Sequence, residues 1–474
     1  MSFRLNSSSV NFSRRQFLGS TISAALLPLA CGAADPQPKP NILLILADDL
    51  GYGDLGCFGH PQIQTPTLDS LAAAGAKFTD CYASAPVCSP SRCGLLTGRI
   101  PHRLGIDDWI PQGSPIHLRR EEITVAQLLK KSGYATCHVG KWHCNGKFNN
   151  PKQQPQPNDA GFDHWFSTQN NAGPSHHNPI NFVRNGVRVG PLQGYSSEII
   201  VDEAIAWLKY IGGAPGEAGK PFCLFVWFHA THEPVATAEE FVNLYPKTDP
   251  PEKAVYFGNV TQIDHAVGRL MKALGELKLD QNTLTFFTSD NGPEGLKRYE
   301  KATFSHGSAG GLRGSKLHLY EGGLRVPGIL HWPGHVTANT KIAEPVINLD
   351  LLPTFCAAAG TEIPRDRAID GANPLPLLSS QPITRQTPLY WQYNIALGGP
   401  KIAMRQADYK LLSREDFAGL ELYNLRTDPT EKDNLIERNP QRRDQMLAKM
   451  KQLYAQIKAE EPTWPPSPPP PAKP

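Results

Sequence analysis

The feature that most constrains this chain is Asn41-Ile42-Leu43-Leu44-Ile45-Leu46-Ala47, an apolar run that ends abruptly in Asp48-Asp49. A run this short, continuous rather than alternating, predicts a strand buried on both faces of a parallel sheet. Phe222–Phe228 (FCLFVWF) and Thr283–Thr288 (TLTFFT) predict two more buried strands, and Thr136–Val139 a shorter one. Helical spacing recurs in Thr67–Ala74, Thr124–Ser132 and Val260–Leu274. Strands alternating with helices predict a doubly wound α/β domain. With 474 residues, 40% of them hydrophobic, the chain has ample material for a core, which excludes wholesale disorder. A net charge of +3 argues against a polyanion-coating protein, nucleic-acid binders included, but it leaves room for a small anionic substrate held by a local basic cluster.

The ends read differently from the middle. Arg14-Arg15, the uncharged stretch Phe17–Ala30 and the small residues Gly32-Ala33-Ala34 predict a twin-arginine export signal over residues 1–34. Leu29-Ala30-Cys31-Gly32 resembles a lipobox, so Cys31 is either a lipid anchor or is removed with the leader. The expected destination is the periplasm or cell surface, reached through the twin-arginine machinery. Beyond the leader no apolar run reaches the ~20 residues of a membrane span, so no transmembrane segment is expected in the mature chain. Residues 35–373 are expected to form the catalytic α/β domain. A composition shift near Pro374–Pro388 introduces short alternating segments at 388–393, 402–405, 409–412 and 420–425. With a helix at Pro440–Glu460, capped by Asn439, they predict an α+β subdomain over 374–460. Residues 461–474 hold eight prolines and are expected to be extended or disordered. The Asn-, Pro- and Gly-rich stretch Cys144–Gly194 is expected to cross the active face, and it and the loop Trp391–Lys401 are expected to set specificity.

Asp48-Asp49 follows the first buried strand, and Ser289-Asp290-Asn291-Gly292 follows the third. Ligands of open parallel sheets bind beyond the carboxyl ends of the strands. Two acidic strand ends plus an amide make an all-oxygen cage suited to Ca²⁺ or Mg²⁺, whereas zinc favours thiolate or imidazole. Each motif alone also reads as turn chemistry; their placement at the ends of strands in one sheet favours the metal.

Cys88-Ser89-Pro90-Ser91-Arg92, followed by Thr97-Gly98-Arg99, resembles the signature of the type I sulfatase family. Further hallmarks fall in order: Ala47–Gly51, Gly140-Lys141-Trp142-His143, Thr231-His232-Glu233-Pro234, Ser289–Gly292, Leu312–Lys316, Glu321-Gly322-Gly323 with Arg325-Val326-Pro327, and Leu422–Leu425 with Asp428-Pro429. The resemblance spans about residues 40–460 and leans to the arylsulfatase A and N-acetylgalactosamine-6-sulfatase branch. It implies an alkaline-phosphatase-like fold: a large mixed sheet flanked by helices, with a smaller C-terminal antiparallel sheet plus helix. It implies that Cys88 is oxidised to 3-oxoalanine (formylglycine) by a formylglycine-generating enzyme. It also implies one Ca²⁺ held by Asp48, Asp49, residue 88, Asp290 and Asn291. The catalytic set it implies is Cys88, Arg92, Lys141, His143, His232 and Lys316. Arg92 would order the hydrated aldehyde, Lys141 and Lys316 would hold sulfate oxygens, His143 would act as base, and His232 would donate to the ester oxygen. The implied activity is hydrolysis of a sulfate monoester, with a sulfated carbohydrate as the expected substrate class.

Chemistry agrees with the modification. A thiol suits a hard cation poorly, whereas a hydrated aldehyde offers one hydroxyl to attack sulfur and another to expel the product. The alternatives are a phosphate or phosphonate ester hydrolase of the same superfamily and an unmodified carbohydrate-binding homologue. A tyrosine-phosphatase reading of Cys93–Arg99 leaves both acidic motifs idle. Cys93 is expected to be a small buried residue or a disulfide partner. Nine cysteines less Cys31 and Cys88 leave seven, so at least one stays unpaired. His229 is expected in the core or behind the site, and His176-His177 either beside the substrate or on a solvated loop.

Overall fold

Adjacent residues of the first strand serve opposite cores, and the rest of the molecule is built around that fact. The computed structural model describes residues 38–213, 216, 219–297 and 306–465. The leader, including Cys31, lies outside these residues, as does the tail beyond Pro465. The large sheet contains β1 (Asn41–Ala47), β2 (Ala76–Tyr82), β3 (Ala135–Lys141), β4 (His164–Thr168), β5 (Val183–Arg184), β6 (Val187–Arg188), β7 (Phe222–Trp227), β8 (Thr283–Ser289), β9 (Arg325–His331), β10 (Thr340–Ile342) and β11 (Val346–Ile347). Its order is β10-β2-β9-β8-β1-β7-β3-β4-β5-β6, with β11 also paired to β2.

Ile42, Leu44 and Leu46 pack on one face with Leu95, Leu129 and Phe355, from the helices Cys88–Thr97, Val125–Lys131 and Leu351–Ala358. Leu43, Ile45 and Ala47 pack on the other with Leu68, Val201 and Ile263, from the helices Pro66–Ala74, Ser196–Gly213 and Glu252–Glu276. All seven residues of the strand are buried, and each large aliphatic side chain so buried contributes about 1.5–3 kcal/mol.

The central strands β8, β1, β7, β3 and β4 are all parallel, as the alternating pattern predicts. The doubly wound expectation needs one amendment, because β9 runs antiparallel to both β8 and β2. The reason lies in the chain between them. After β8, Asn291 and Lys316 both bond Asp49 at the carboxyl end of β1. The chain is thus still at that end when it re-enters the sheet, and β9 has to run back. The result is the mixed sheet of the alkaline-phosphatase-like fold.

A second, antiparallel sheet is formed by β12 (Leu389–Gln392), β13 (Ile402–Gln406), β14 (Tyr409–Ser413) and β15 (Glu421–Asn424). The helix Pro440–Glu460 covers it with Met446, Met450, Leu453 and Ile457. Pro440 opens that helix as expected. Asn439 holds the N-cap position, but its side chain makes no capping bond. Thr124 and Gln127 supply the full reciprocal capping box instead, at the Val125–Lys131 helix. The small sheet shares its core with Tyr82, Val87 and Cys88, and the described residues from Lys39 onward form one compact unit. The start of the tail is docked rather than loose: the Trp464 indole donates to the Gly105 carbonyl at 2.6 Å. The ordered elements absent from the sequence reading include β2, β4, β9 and the helices Cys88–Thr97, Ser196–Gly213 and Leu351–Ala358.

Candidate active site

Strand register brings the two acidic motifs together. Ala47 lies opposite Ser289 in the parallel pair β1–β8, so Asp48-Asp49 and Asp290-Asn291 leave the sheet side by side. The Asp49 N–H donates to Asp290 Oδ1 at 3.2 Å, and the Asn291 amide donates to Asp49 Oδ1 at 2.7 Å. Asp49 sits at φ 61°, a left-handed conformation that β-carbon sterics disfavour and that clusters at functional sites. Lys141 ends β3 two strands away. Its predecessor Gly140 has φ 104°, and a Cβ there would lie 1.8 Å from the Trp227 carbonyl, so no other residue fits. His143, just beyond, is left-handed at φ 53°.

Cys88 is the first residue of the Cys88–Thr97 helix, and Arg92 follows one turn later on the same side. The Ser-Pro-Ser sequence reads as a turn. Pro90 is tolerated because it falls in the first helical turn, where the N–H has no partner within the helix. Arg92 is completely buried. Its guanidinium reaches Asp290 Oδ2 at 2.7 Å and Asp48 Oδ2 at 3.3 Å, and donates to the Lys141 carbonyl at 2.8 Å. Lys141 Nζ lies 2.6 Å from Asp48 Oδ2, and Lys316 Nζ lies 2.7 Å from Asp49. Three carboxylates are therefore set against three cations with no side chain more than 2% exposed.

The cations do not neutralise this ring evenly. Burial would raise the Asp49 carboxyl, but Lys316, His232 and Lys141 outweigh that and hold it well below the usual range. Asp290 is pushed up to about 6 by burial and by Asp48, against the pull of Arg92. Burial pushes the Cys88 thiol up, with Lys141 and Lys316 opposing and Asp48 and Asp290 adding to the rise. The residue is a thiol here, not a thiolate.

Two imidazoles face the ring. His143 Nε2 lies 3.2 Å from the Ile110 carbonyl, so that nitrogen carries the proton and donates; Nδ1 is buried and free of hydrogen bonds. Burial, with Lys141 and Arg92 nearby, keeps this ring neutral. His232 Nδ1 donates to the Glu233 carbonyl at 2.6 Å, which points Nε2 at Asp49 Oδ2, 3.7 Å away. Burial and Lys316 depress its pKa well below the ordinary value, although Asp49 pulls the other way.

The donor set fits a hard divalent cation. Asp48 Oδ1 and Asn291 Oδ1 are buried without a hydrogen bond, which leaves oxygen lone pairs to spare. Among the Asp, Glu, His and Cys of the described residues, one group of side chains converges. Asp48, Asp49 and His232 each bring an atom within 4.8 Å of the others. The Asp290 carboxylate beside them also meets Arg92 and the Asp49 N–H.

The remaining expectations resolve as follows. His229 is buried, with Nε2 2.8 Å from Thr168 Oγ1, behind the site. His176 is buried with both ring nitrogens free of hydrogen bonds, and burial with His232 nearby takes its pKa to about 3. His177 is exposed and stacks on Tyr195. Cys93 takes the buried rather than the disulfide option, and burial and the neighbouring Cys144 push its thiol pKa up. The eight described cysteines are all free thiols. Trp391, at the start of the loop expected to set specificity, is buried and donates to the Ala83 carbonyl at 2.8 Å, so it is structural. Two neighbours of the site went unread. Asn171 lies 3.1 Å from His232 Nδ1, inside the polar stretch that was singled out only as a region. Glu294 lies 4.0 Å from Lys316, four residues past Asp290, and that proximity was its only sequence signal.

Comparison with known proteins agrees with this geometry. Residues 40–361 match the sulfatase family, and residues 314–460 match the N-sulphoglucosamine sulphohydrolase C-terminal region. The chain belongs to the sulfatase family. It is 37% identical to arylsulfatase A of Homo sapiens over 376 residues, 74% of this chain and 70% of that protein. It is 36% identical to N-acetylgalactosamine-6-sulfatase of Sus scrofa over 382 residues, 76% of this chain and 69% of that protein. The crystal structure of Ps i-CgsB in complex with k-i-k-neocarrahexaose superposes with a TM-score of 0.77 at 29% identity. That match covers 90% of this chain and 94% of the other. This sulfatase thus groups with proteins named as sulfuric ester hydrolases, and no helix among the described residues is long and apolar enough to cross a membrane.

Proposed function

We propose that the chain hydrolyses the sulfate monoester of a carbohydrate to an alcohol and inorganic sulfate, with formylglycine at position 88 and one Ca²⁺. The observation that carries the reading is the meeting of Asp48, Asp49, Arg92, Lys141, Asp290 and Lys316 where the Cys88 helix begins. A buried, protonated thiol is a weak nucleophile, which favours conversion of Cys88 over its direct use. The aldehyde supplies, as its hydrate, a hydroxyl to attack sulfur and another to expel the product. The calcium ion, held by Asp48, Asp49, Asp290 and Asn291, supplies Lewis acidity and offsets negative charge.

The chain's own residues do the rest. Lys141 and Lys316 present ammonium groups to the sulfate oxygens, where negative charge builds in the transition state. Arg92 orients residue 88 and holds Asp290. His143, with its proton fixed on Nε2 by the Ile110 carbonyl, offers the bare Nδ1 as base. His232 presents Nε2 to the leaving oxygen. An arriving sulfate monoanion favours protonation of that nitrogen, and the proton then passes to the alcohol. Residues 35–373 carry this chemistry, and 374–460 back the Cys88 helix. The carbohydrate reading draws on relatives named for a sugar sulfate or bound to a hexaose. The leader residues 1–34 favour twin-arginine export after maturation by a formylglycine-generating enzyme.

The test is co-expression with and without that enzyme. Mass spectrometry of the Cys88 peptide should show the thiol-to-aldehyde mass change only with it, and sulfate release from 4-nitrophenyl sulfate should follow the converted fraction. Full turnover by protein with an intact thiol would overturn the mechanism.

A further inference from the structure

Beside the two imidazoles lies a cleft of about 600 Å³, within the range of ligand sites, whose lining includes Trp109, Lys147, Asn170, Asn171 and Arg188. It adjoins the proposed chemistry directly. The Trp109 ring lies 6.5 Å from that of His143, and Asn171 lies 3.1 Å from His232 Nδ1. A group leaving from between these histidines therefore departs into this cleft.

Its lining is selective. Trp109 is 44% exposed, so a flat apolar indole face is offered next to the site rather than packed away. Asn170 and Asn171 each have a buried Oδ1 without a hydrogen bond, two acceptors suited to hydroxyl donors. The charge is one-sided. Lys147 and Arg188 line the cleft, no carboxylate does, and among the described residues neither cation has an ion pair. Nearby Arg184 shows the contrast, since Glu203 holds it at 2.5 Å. Two unpaired cations in a carboxylate-free concavity create a field that selects anions.

Resting on the sulfatase reading above, we propose that this cleft holds the leaving glycan. Lys147 and Arg188 recognise a second anionic group, sulfate or carboxylate, on a sugar adjoining the one that is desulfated. The preferred substrate class is then a polyanionic oligosaccharide rather than a glycan with a single sulfate. Trp109 stacks on a sugar ring, and the two asparagine carbonyls accept its hydroxyls.

Calorimetric titration of the full chain tests this without requiring turnover. The probes are isomaltohexaose, its sulfated derivative and hexagalacturonate, at low salt, against wild type and the double variant Lys147→Ala/Arg188→Ala. At least one anionic probe should bind wild type about tenfold more tightly than the neutral hexaose, and the double variant should lose that margin. The sulfated and galacturonate arms tell which anion is read. Lys147→Arg/Arg188→Lys should restore the margin, which separates lost charge from lost fold. Trp109→Ala should weaken all three probes. Equal affinity for neutral and anionic probes, or an undiminished margin in the double alanine variant, overturns the proposal. Failure of the sulfatase reading looks different: no sulfate is released from any ester, whatever the titrations show.

Discussion

Two of the buried charge clusters among the described residues are built to different standards. The first rings Cys88. The second lies where β2, β9, β13 and β14 meet, and in it Glu321, Lys410 and Glu431 have no side-chain exposure. There Glu321 accepts from the Tyr82 hydroxyl at 2.6 Å and from Arg325, and lies 2.9 Å from Lys410. Glu431 accepts from the Glu321 N–H at 2.7 Å and shares the same lysine at 2.9 Å. Arg405 bonds Asp80 at 2.6 Å and also reaches the Tyr82 hydroxyl. Of the Glu321–Lys410–Glu431 trio, only Glu431 Oε1 departs from hydrogen-bond geometry, and Lys410 still pairs with it. In the first cluster Asp48 Oδ2 and Lys141 Nζ pair in the same way, but Asp48 Oδ1, Asn291 Oδ1 and His143 Nδ1 are buried with no hydrogen bond. A buried charge whose partners all lie within the protein holds the structure together; one with bonding capacity to spare is arranged for something that arrives.

The sharpest way to break this contrast is Cys88→Ala. It removes the atom proposed to react while leaving the ring charges in place, so kcat should fall on the order of 10⁴-fold or more with the denaturant midpoint unmoved. Activity near wild type would show that the first cluster does not serve residue 88. Lys410→Met is the converse experiment. Two buried carboxylates lose their shared cation, and chemical denaturation should show a loss of about 3–5 kcal/mol while kcat per folded molecule stays within about twofold. A stable variant with impaired kcat would reverse the two assignments.

Calcium should tell the clusters apart more gently. At about 100 times its Kd it should raise unfolding free energy by about 2.7 kcal/mol, a gain that EDTA reverses. Asp48→Asn should largely abolish that gain, and Lys410→Met should keep it. Acid titration gives the smallest effect. Burial would raise the Glu321 carboxyl, but Lys410, Arg325 and Arg405 outweigh it and bring it from 4.5 down to about 2. A lowered folded pKa means that its contribution is complete above about 4.5 and is lost as pH falls toward about 2. The stability gap between wild type and Lys410→Met should therefore narrow across that window. A gap that stays constant would show that Glu321 is not held ionised by Lys410.

The first cluster was the more legible of the two. Asp48 and Asp290 each end an apolar run that can only be a central strand, so their meeting follows from sheet geometry. Lys141 and His143 announce themselves through a compact motif. The second cluster hides because Lys410 sits in an alternating strand, where a lysine reads as solvated, and Glu431 sits in a polar turn. Only tertiary pairing of the two sheets makes them core residues. The antiparallel β9 was illegible for a similar reason, since its direction depends on where Asn291 and Lys316 pin the preceding chain. The helix Ser196–Gly213 is another matter. Ile200, Val201, Ala204, Leu208 and Ile211 recur at helical spacing, and the signal was there to be found.

The contacts that close the first cluster span great lengths of chain. Arg92 meets an aspartate 198 positions later, and Lys316 meets one 267 positions earlier. Such closures carry a loop-entropy cost and belong to the slow part of folding. During synthesis at about 5–20 residues per second, the Cys88 segment waits on the order of tens of seconds for Asp290 to be made. Under the proposed conversion of Cys88, the distance along the chain would act as a timer that keeps the thiol accessible while the protein is still being assembled. A chain stopped before β8 should remain a substrate for thiol oxidation at residue 88, whereas the finished fold should not.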